Sequence, residues 1–349
     1  MKFAIGVDLG GTNLRIAAVS ESGELLEKLT TGTKVSLGRN AVIEEMAAAI
    51  RELAAKFSKT GDLQGVGIGV PGIIDKQTGM LRESPNLPGW SDYPVKNEIE
   101  RRLGAPVILE NDANAAALGE AWLGAARNAQ DVCMLTLGTG VGGGIVLNGR
   151  AWHGMTGMAG EVGHITVDPD GPKCGCGSYG CVEQFASATA VVRMAREAIR
   201  AGLAPELSRV AASSGAEFGA KVVHNLAIQG DKPAQQVFHK VGWALGIVLA
   251  GLVNTLNLHM YVIGGGVSSA WSAFAPAMFA ELQRRSFVYA ATAPDDVAAS
   301  IMEGASATLK PLGSSPRTVI TRALLGSDAG LYGAGHLPML DTETPATKV

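Results

Sequence analysis

Two short segments of the sequence share one pattern: an apolar strand ends in a glycine-rich turn, and a second apolar strand follows. The first is VDLGGT at residues 7–12, before the apolar run at 16–19, and the second is LTLGTG at 135–140, before the run at 145–147. They lie 128 positions apart, and each starts a stretch that reads as an α/β domain. The repetition predicts an α/β fold with two duplicated α/β domains around a cleft.

The context of the glycines limits what these turns can bind. GIGVPG at 67–72 and GTGVGG at 138–143 have the spacing of a dinucleotide-binding loop, but no helix follows either of them directly. The sequence contains no Gly-Lys pair, which excludes a Walker A loop. The two turns are therefore either ordinary tight turns or a pair that presents backbone N–H groups and threonine hydroxyls to phosphate.

The candidate phosphate-binding residues are those of the two turns. They are Gly10, Gly11 and Thr12 in the first turn and Gly138, Thr139 and Gly140 in the second. Asp8, at the end of the first strand, is a candidate ligand for Mg²⁺ beside those phosphates, because Mg²⁺ prefers oxygen ligands.

Composition excludes several classes of protein. The chain has 349 residues, about two domains, with 47% hydrophobic and 17% charged residues, which is not the composition of a disordered chain. A net charge of −3 provides no basic surplus for nucleic acid or an acidic membrane. No secretory signal opens the sequence, and Asn254, Asn257 and His259 interrupt the apolar run at 241–261. These features predict a cytoplasmic protein.

The predicted elements divide the chain into two domains. Residues 1–111 form a small N-terminal α/β domain, which a C-terminal helix at about 321–340 completes. Residues 112–320 form a large α/β domain, and residues 341–349 are expected to be a disordered tail. In the long apolar helix of the large domain, Gly242, Gly246 and Gly251 are predicted to let another element pack closely. Residues 204–232 match no motif.

One imidazole and three thiols have the spacing of a metal site. His164, Cys174, Cys176 and Cys181 can close a tetrahedral Zn²⁺ site, and the glycines between them allow a tight loop. The alternative is three buried, reduced cysteines beside an unrelated histidine, although a Gly/Pro loop suits core packing poorly. Because protein would fill all four coordination positions, the predicted zinc is structural. Cys133, in an apolar strand, is predicted to belong to the core.

Several acidic and amide residues lie next to these motifs. Asn111 and Asp112 stand where a strand is predicted to give way to a helix, and both residue types are preferred helix caps. Glu161 and Glu183 flank the cysteine loop and can equally be solvated side chains. Spacing alone favours these structural interpretations for each residue, whereas their collective placement beside a candidate metal loop and glycine turns indicates a polar sugar site.

Together these segments resemble the ROK family of sugar kinases and repressors, within the actin-like, hexokinase-like ATPase fold. The resemblance covers nearly the whole chain. The matching stretches are VDLGGTNLR at 7–15, GIGVPG at 67–72, SPNLPGW at 84–90, ENDANAAALGE at 110–120, LGTGVGGG at 137–144, GEVGHITVDPDGPKCGCGSYGCVEQFAS at 160–187, GGG at 264–266 and DAGLYGA at 328–334.

The resemblance implies a role for each matching residue. Asp112 would be the catalytic base that takes the proton of the attacking sugar hydroxyl. The sugar hydroxyls would be hydrogen-bonded by Asn86, Asn111, Glu161, His164 and Glu183, with a close backbone contact from Gly72. His164 would serve twice, with one ring nitrogen on zinc and the other toward the sugar. The two glycine turns would clamp the ATP phosphates, and Gly265 and Gly266 would lie near the nucleoside.

The resemblance also implies the reaction, the Mg-ATP-dependent phosphorylation of glucose to glucose 6-phosphate. Kinases for N-acetylglucosamine, N-acetylmannosamine, mannose and fructose share most of these residues and stay alternatives. Polyphosphate is an alternative donor, although the sequence contains no dense basic strip for a polyanion. Repressors of the family carry a helix-turn-helix domain before the first strand, which begins here at Phe3, so a kinase is favoured. The family also implies a dimer or tetramer.

Overall fold

The computed structural model describes residues 1–84, 86–298, 301 and 317–342. Its strands are β1 (Lys2–Leu9), β2 (Asn13–Ser20), β3 (Leu25–Gly32), β4 (Asp62–Val70), β5 (Ile73–Asp75), β6 (Met80–Glu83), β7 (Ile108–Asn111), β8 (Val132–Leu137), β9 (Val141–Leu147), β10 (Arg150–Ala151), β11 (Met260–Gly264) and β12 (Val319–Arg322). Its helices are α1 (Arg39–Phe57), α2 (Val95–Leu103), α3 (Asp112–Trp122), α4 (Glu183–Ala186), α5 (Ala188–Arg200), α6 (Pro205–Ser214), α7 (Ala220–Ile228), α8 (Lys232–Leu256), α9 (Trp271–Arg285), α10 (Phe287–Thr292) and α11 (Ala329–Thr342).

The first sheet has the strand order β3–β2–β1–β4–β7. Its first three strands pair antiparallel, and β4 and β7 join in parallel. Successive apolar residues at the centre of β1 are all buried, which is typical of a strand covered on both faces. Helix α1 buries Ile43, Met46 and Ile50 at helical spacing in the same core, as its sequence period predicts.

The second five-stranded sheet repeats this topology, with the order β10–β9–β8–β11–β12. Its strands also pair antiparallel on one side and parallel on the other, as β10 with β9 and β11 with β12 show. Both sheets therefore place the strand that precedes a glycine turn at the centre. The predicted duplicated α/β architecture is confirmed.

The chain divides into two compact units. Unit 1 comprises Met1–Val132, Gly144–Gly160 and the C-terminal segment from Ser327, and unit 2 comprises Cys133–Gly143 and Glu161–Gly326. Helix α3 belongs to unit 1, past the predicted division at residues 111 and 112, because it packs closely on α11. A Cβ on Gly333 of α11 would lie 1.7 Å from the carbonyl oxygen of Ala115 in α3. Residues 343–349 of the predicted tail lie outside the described residues.

Helix α8 forms the centre of the helical part of unit 2. Gly242 and Gly246 face α9, where a Cβ would lie 2.2 Å and 2.5 Å from the carbonyl oxygens of Phe274 and Met278. Gly251 faces open space, so the packing role predicted for it is wrong. The helix is long and apolar enough to cross a membrane, but 67% of its most apolar window is buried inside the protein. Residues 204–232 include α6 and α7, of which α7 packs against α8 and α6 contacts α5.

Candidate functional site

The first glycine turn joins β1 to β2 in unit 1. The Gly10 N–H donates to the carbonyl oxygen of Asn13 at 2.8 Å, which closes the turn. Gly11 has no space for a side chain, because a Cβ would lie 2.6 Å from the carbonyl oxygen of Asn86. The turn therefore packs against the backbone of the predicted sugar-binding residue Asn86, and Thr12 is exposed beside it.

The Asp8 carboxylate lies in β1, immediately before this turn. Its Oδ2 accepts a hydrogen bond from Arg15 Nη1 at 2.8 Å. Burial raises the pKa of Asp8, and the hydrogen bond and charge of Arg15 oppose that effect. A Cβ on Gly330 would lie 3.4 Å from the carboxylate, so the start of α11 approaches it closely. The Asp8 carboxylate, which is largely buried from solvent, therefore lies next to a candidate phosphate-binding turn.

Asn111 and Asp112 stand at the junction of β7 and α3. Asn111 is the N-cap of α3: its side-chain oxygen accepts from the N–H groups of Ala113 and Asn114 at 2.9 and 3.2 Å. The Asn111 amide donates to the carbonyl oxygen of Gly72 at 3.0 Å. Asp112 is the first helical residue, and its Oδ1 accepts from the Ala113 N–H at 2.9 Å. The interpretation of Asn111 as a helix cap is thus confirmed. Its hydrogen bond to Gly72 also links the start of α3 to the segment that follows β4.

The position of Gly72 requires a glycine. Its φ of +116° lies in a region that side chains disfavour, and a Cβ would lie 2.1 Å from the carbonyl oxygen of Glu83. The β5–β6 hairpin therefore approaches the Gly72 backbone directly. Gly72 and Asn111, both predicted to bind the sugar, are in contact in the structure.

A buried network behind this junction was not predicted from the sequence. The Glu110 carboxylate is 2% exposed and accepts from His153 Nε2 at 2.7 Å and from Lys76 Nζ at 3.0 Å. Its other oxygen accepts from the Asn111 N–H at 2.9 Å and the Asn114 amide at 3.1 Å. The signal available in the sequence was an acidic residue at the end of an apolar strand, since such a buried acid requires partners.

The second glycine turn joins β8 to β9. The Gly138 N–H donates to the carbonyl oxygen of Gly140 at 2.9 Å, and the Ala188 N–H donates to the carbonyl oxygen of Gly138 at 2.8 Å. The Glu183 carboxylate accepts from the Val141 N–H at 3.0 Å. A Cβ on Gly140 would lie 2.4 Å from that carboxylate. The predicted sugar ligand Glu183 therefore contacts the second turn itself.

Other predicted nucleotide-binding residues of unit 2 lie near this turn. Thr139 is exposed, and its carbonyl oxygen accepts from the Thr189 hydroxyl at 2.8 Å. Gly265 has a φ of +83°, and a Cβ would lie 2.5 Å from the backbone oxygen of Leu137, directly before the turn. Gly266 has open space where a side chain would stand. The segment after β11 therefore reaches the second turn.

The four candidate metal ligands come together in unit 2. Their ligand atoms all lie within 4.8 Å of one another. The Cys174 sulfur lies 3.6 Å from His164 Nδ1, and the sulfurs of Cys176 and Cys181 lie 3.7 Å apart. With metal–sulfur bonds of about 2.3 Å and metal–nitrogen bonds of about 2.0 Å, the edges of a tetrahedral site measure about 3.5–3.8 Å. The cluster therefore has the size of a tetrahedral metal site.

His164 directs its two ring nitrogens to different neighbours. Nδ1 faces the Cys174 sulfur, whereas Nε2 lies 3.9 Å from the carboxylate of Glu161, another predicted sugar ligand. The Glu183 carboxylate also lies 3.9 Å from that sulfur. The cluster thus includes one predicted sugar-binding side chain, His164, and lies 3.9 Å from the other two of unit 2, Glu161 and Glu183. Cys133 is fully buried in β8, as predicted, and does not belong to the cluster.

Comparison with known proteins gives consistent results. Residues 4–309 match the model of the ROK family. The glucokinase of Thermotoga maritima is 42% identical over 266 residues, which cover 76% of this chain and 82% of that enzyme. The crystal structure of a ROK hexokinase from Thermus thermophilus has a TM-score of 0.76 and 32% identity, covering 98% of this chain and 99% of that one.

A second structure includes ligands. It is a ROK family glucokinase from Streptomyces griseus in complex with glucose and AMPPNP, with a TM-score of 0.73 and 34% identity. The alignment covers 96% of this chain and 98% of that chain. Since the family model matches most of the chain and related structures share its fold over nearly the full length, this protein belongs to the ROK family.

Proposed function

We propose that this protein is a hexokinase-type sugar kinase, a glucokinase that transfers the terminal phosphoryl group of ATP to glucose, giving glucose 6-phosphate and ADP. The observation that carries the proposal is the capped start of α3, which holds Asp112 as its first residue. The 42% identity to the Thermotoga maritima glucokinase supports it. So does the likeness to the Streptomyces griseus glucokinase with bound glucose and AMPPNP.

Asp112 is the proposed catalytic base. An aspartate has an ordinary pKa near 3.9, far below that of an alcohol, so it takes the hydroxyl proton late, as the attacking oxygen bonds to phosphorus. The transition state of phosphoryl transfer is loose and highly charged, and catalysis comes mainly from positioning and electrostatic stabilisation. The Asn111 cap and its bond to Gly72 supply that positioning for Asp112.

The two glycine turns are the proposed phosphate clamps. Gly10, Gly11 and Thr12 offer the N–H groups and hydroxyl of the first turn, and Gly138, Thr139 and Gly140 offer those of the second. Asp8 is the proposed carboxylate near Mg²⁺, which neutralises phosphate charge when Mg-ATP is bound. Gly265 and Gly266 are proposed to contact the nucleoside.

The sugar is proposed to bind mainly through hydrogen bonds. The proposed contacts are Gly72, Asn86, Asn111, Asp112, Glu161, His164 and Glu183. The Nδ1 of His164 faces the Cys174 sulfur, so its Nε2 can form a hydrogen bond with the sugar. Kinases for N-acetylglucosamine, N-acetylmannosamine, mannose or fructose use similar contacts and are the alternatives to test.

The cluster of His164, Cys174, Cys176 and Cys181 is proposed to hold a structural Zn²⁺. The residue types and the distances of 3.6 and 3.7 Å between ligand atoms fit a closed tetrahedral site. Zinc there would fix the ring of His164 and thereby the direction of its Nε2. The metal would act on sugar binding through this orientation alone.

The proposed reaction also suggests the pathway, the cellular location and the binding partners of the protein. A glucokinase serves glycolysis and carbohydrate metabolism, and we propose a cytoplasmic homo-oligomer, a dimer or tetramer. Its partners are proposed to be the sugar and ATP, with neither nucleic acid nor membrane. A sugar-responsive repressor is the less favoured alternative, and operator binding at physiological salt would support it.

The decisive experiment compares phosphoryl acceptors. We expect Mg-ATP-dependent phosphorylation of glucose to exceed that of N-acetylglucosamine, N-acetylmannosamine, mannose and fructose by tenfold or more in kcat/KM, about 1.4 kcal/mol of transition-state preference. A lead for an N-acetyl sugar would preserve the mechanism and change the substrate. No phosphorylation of any sugar would overturn the proposed function.

A further inference from the structure

One arginine of α1 contacts the loop that carries Asn86. This loop, residues 86–93, lies between β6 and α2 in unit 1 and is called the Asn86 loop below. Arg39 is the first residue of α1, and its Nη1 donates to the carbonyl oxygen of Gly89 at 2.8 Å. Its Cζ lies 4.1 Å from the centre of the Tyr93 ring. Because a guanidinium is planar, it can donate in its plane while its face covers a ring, so one side chain makes both contacts.

The Tyr93 end of the loop is firmly held by the fold. Its N–H donates to the carbonyl oxygen of Leu81 in β6 at 3.1 Å, and its own carbonyl oxygen accepts from the Leu81 N–H at 2.9 Å. The Tyr93 side chain is buried, and its ring packs against the buried Trp90 with the ring centres 5.8 Å apart. Arg39 therefore stacks on a ring whose position is fixed by the core of unit 1.

The Gly89 end of the loop has less support. Gly89 has a φ of +81°, and a Cβ there would meet open space within the part of the chain that the structure describes. Two positions earlier, Leu87 is fully buried, and its N–H donates to the carbonyl oxygen of Ser84 at 3.2 Å. The loop is thus anchored on either side of Gly89, and the hydrogen bond from Arg39 ties its tip to α1.

The segment that leads to Arg39 is bound to the first glycine turn. Between β3 and α1, the Thr33 hydroxyl donates to the carbonyl oxygen of Gly10 at 2.6 Å, and the Thr33 N–H donates to that of Thr12 at 2.8 Å. The same turn packs against the backbone of Asn86. The turn, the Thr33 segment and the Asn86 loop therefore contact one another in a closed circuit, in which Arg39 is the last link. Since Thr33 holds the turn directly, the turn does not need Arg39.

We propose that Arg39 is a positioning residue for sugar binding, which keeps the Asn86 loop in the conformation that binds the sugar. The inference rests on the proposed function, because it takes the exposed side chain of Asn86 as a sugar contact. Arg39 acts through the loop. Without it, the loop spends less time in the competent conformation, and the apparent affinity for the sugar falls by that fraction. The positions of Asp112 and of the phosphate-binding turn do not depend on this contact.

The test compares three variants of the full chain by steady-state kinetics with glucose and Mg-ATP. We expect Arg39→Ala to raise the KM for glucose about fivefold or more, and to change kcat and the KM for ATP by less than about twofold. Arg39→Lys should lie between, because an ammonium group can reach the carbonyl oxygen but has no planar face for the ring. The matched control is Arg51→Ala. Arg51 is an exposed arginine of the same helix whose Nη1 also donates to a backbone carbonyl oxygen, that of Arg102, at 2.6 Å, and its loss should leave all three constants unchanged.

A second measurement reads the loop without any sugar. Hydrogen exchange of the backbone amides at 86–93 should be faster in Arg39→Ala than in the unaltered protein or in Arg51→Ala. A KM for glucose that is unchanged in Arg39→Ala, or raised as much in Arg51→Ala, would overturn the proposal. Unchanged exchange in Arg39→Ala would overturn it even if the protein phosphorylates no sugar, so failure of this inference is distinguishable from failure of the proposed function.

Discussion

The carboxylate of Glu110 and the imidazole of His153 lie 2.7 Å apart, from Oε2 to Nε2, although the two residues are 43 positions apart in the chain. Lys76 reaches the same oxygen at 3.0 Å. The other carboxylate oxygen accepts from the Asn111 N–H at 2.9 Å. A buried carboxylate with this many donors fixes three segments of unit 1 to one another, at the junction that presents Asp112.

We expect Glu110→Gln to destabilise the protein near neutral pH and to reduce its sensitivity to acid. Burial raises the pKa of Glu110, but the hydrogen bond from His153 and the charge of Lys76 outweigh it, and the pKa is about 2 instead of 4.5. A depressed folded-state pKa adds stability above the unfolded pKa, and this stability is lost as the pH falls through the folded pKa.

The measurement is urea unfolding of both proteins at a series of pH values. The unfolding free energy of the variant should be lower by on the order of 3 kcal/mol at pH 7, and the difference should shrink between about pH 5 and pH 2. Glu206→Gln, in an exposed pair with Arg209, is the control and should change little. A difference that stays constant down to pH 3 would contradict the assigned pKa.

Asp112→Asn should retain glucose binding and lose nearly all turnover. The amide keeps the shape of the side chain at the start of α3 but cannot accept the hydroxyl proton. Calorimetry with glucose and steady-state kinetics with Mg-ATP measure the two effects separately. Asp131→Asn makes the same chemical change at the residue whose carboxylate accepts from the Asn148 N–H, and serves as the control. If Asp112→Asn keeps more than about a tenth of kcat/KM, a loss below about 1.4 kcal/mol, Asp112 is not the base.

The helices and strands of this fold could be predicted because the apolar residues of each element recur in the sequence at the spacing typical of a helix or a strand. The segments predicted as strand, glycine turn and strand at residues 7–19 and 135–147 are β1 with β2 and β8 with β9, since a strand, a turn and a second strand are contiguous in sequence. Local patterns also identified the cluster of His164 and three cysteines, because the three cysteines lie within eight positions of one loop.

The interactions between residues far apart in the sequence could not be predicted. Glu110 contacts Lys76 and His153 because two separate segments of the chain pack at the end of β7, and no local sequence pattern indicates which segments will do so. The error at Gly251 has a simpler cause. Gly251 is nine residues from Gly242, which is two and a half helical turns, so the two glycines lie on opposite faces of α8.

We expect the purified protein to contain about one zinc per chain. Cys176→Ser should lower the metal content, the Tm and the affinity for glucose together, because metal binding and local folding are coupled and His164 would lose its fixed orientation. Cys133→Ala is the control: this thiol is buried in β8, so its loss should lower the Tm but leave the metal content unchanged. Elemental analysis that finds no zinc in fully active protein would refute the structural role.

Alanine at two glycines of α8 should change stability in opposite directions. At Gly251 the new methyl group meets open space, and Ala favours a helix, so Gly251→Ala should raise the unfolding free energy by about 0.5–1 kcal/mol. At Gly246 the same methyl group would lie 2.5 Å from the Met278 carbonyl oxygen and from the Glu281 Cβ in α9. Gly246→Ala should therefore lower that free energy by roughly 1–3 kcal/mol, because overpacking outweighs the helix preference.

Each variant is the control for the other, because both make the same chemical change in one helix. The intrinsic preference of alanine is common to the two substitutions, so the difference between their unfolding free energies isolates the contact of α8 with α9. Urea denaturation of the two variants and the unaltered protein measures it. If both substitutions stabilise the protein equally, α8 and α9 do not approach through Gly246, and the glycine is there for another reason.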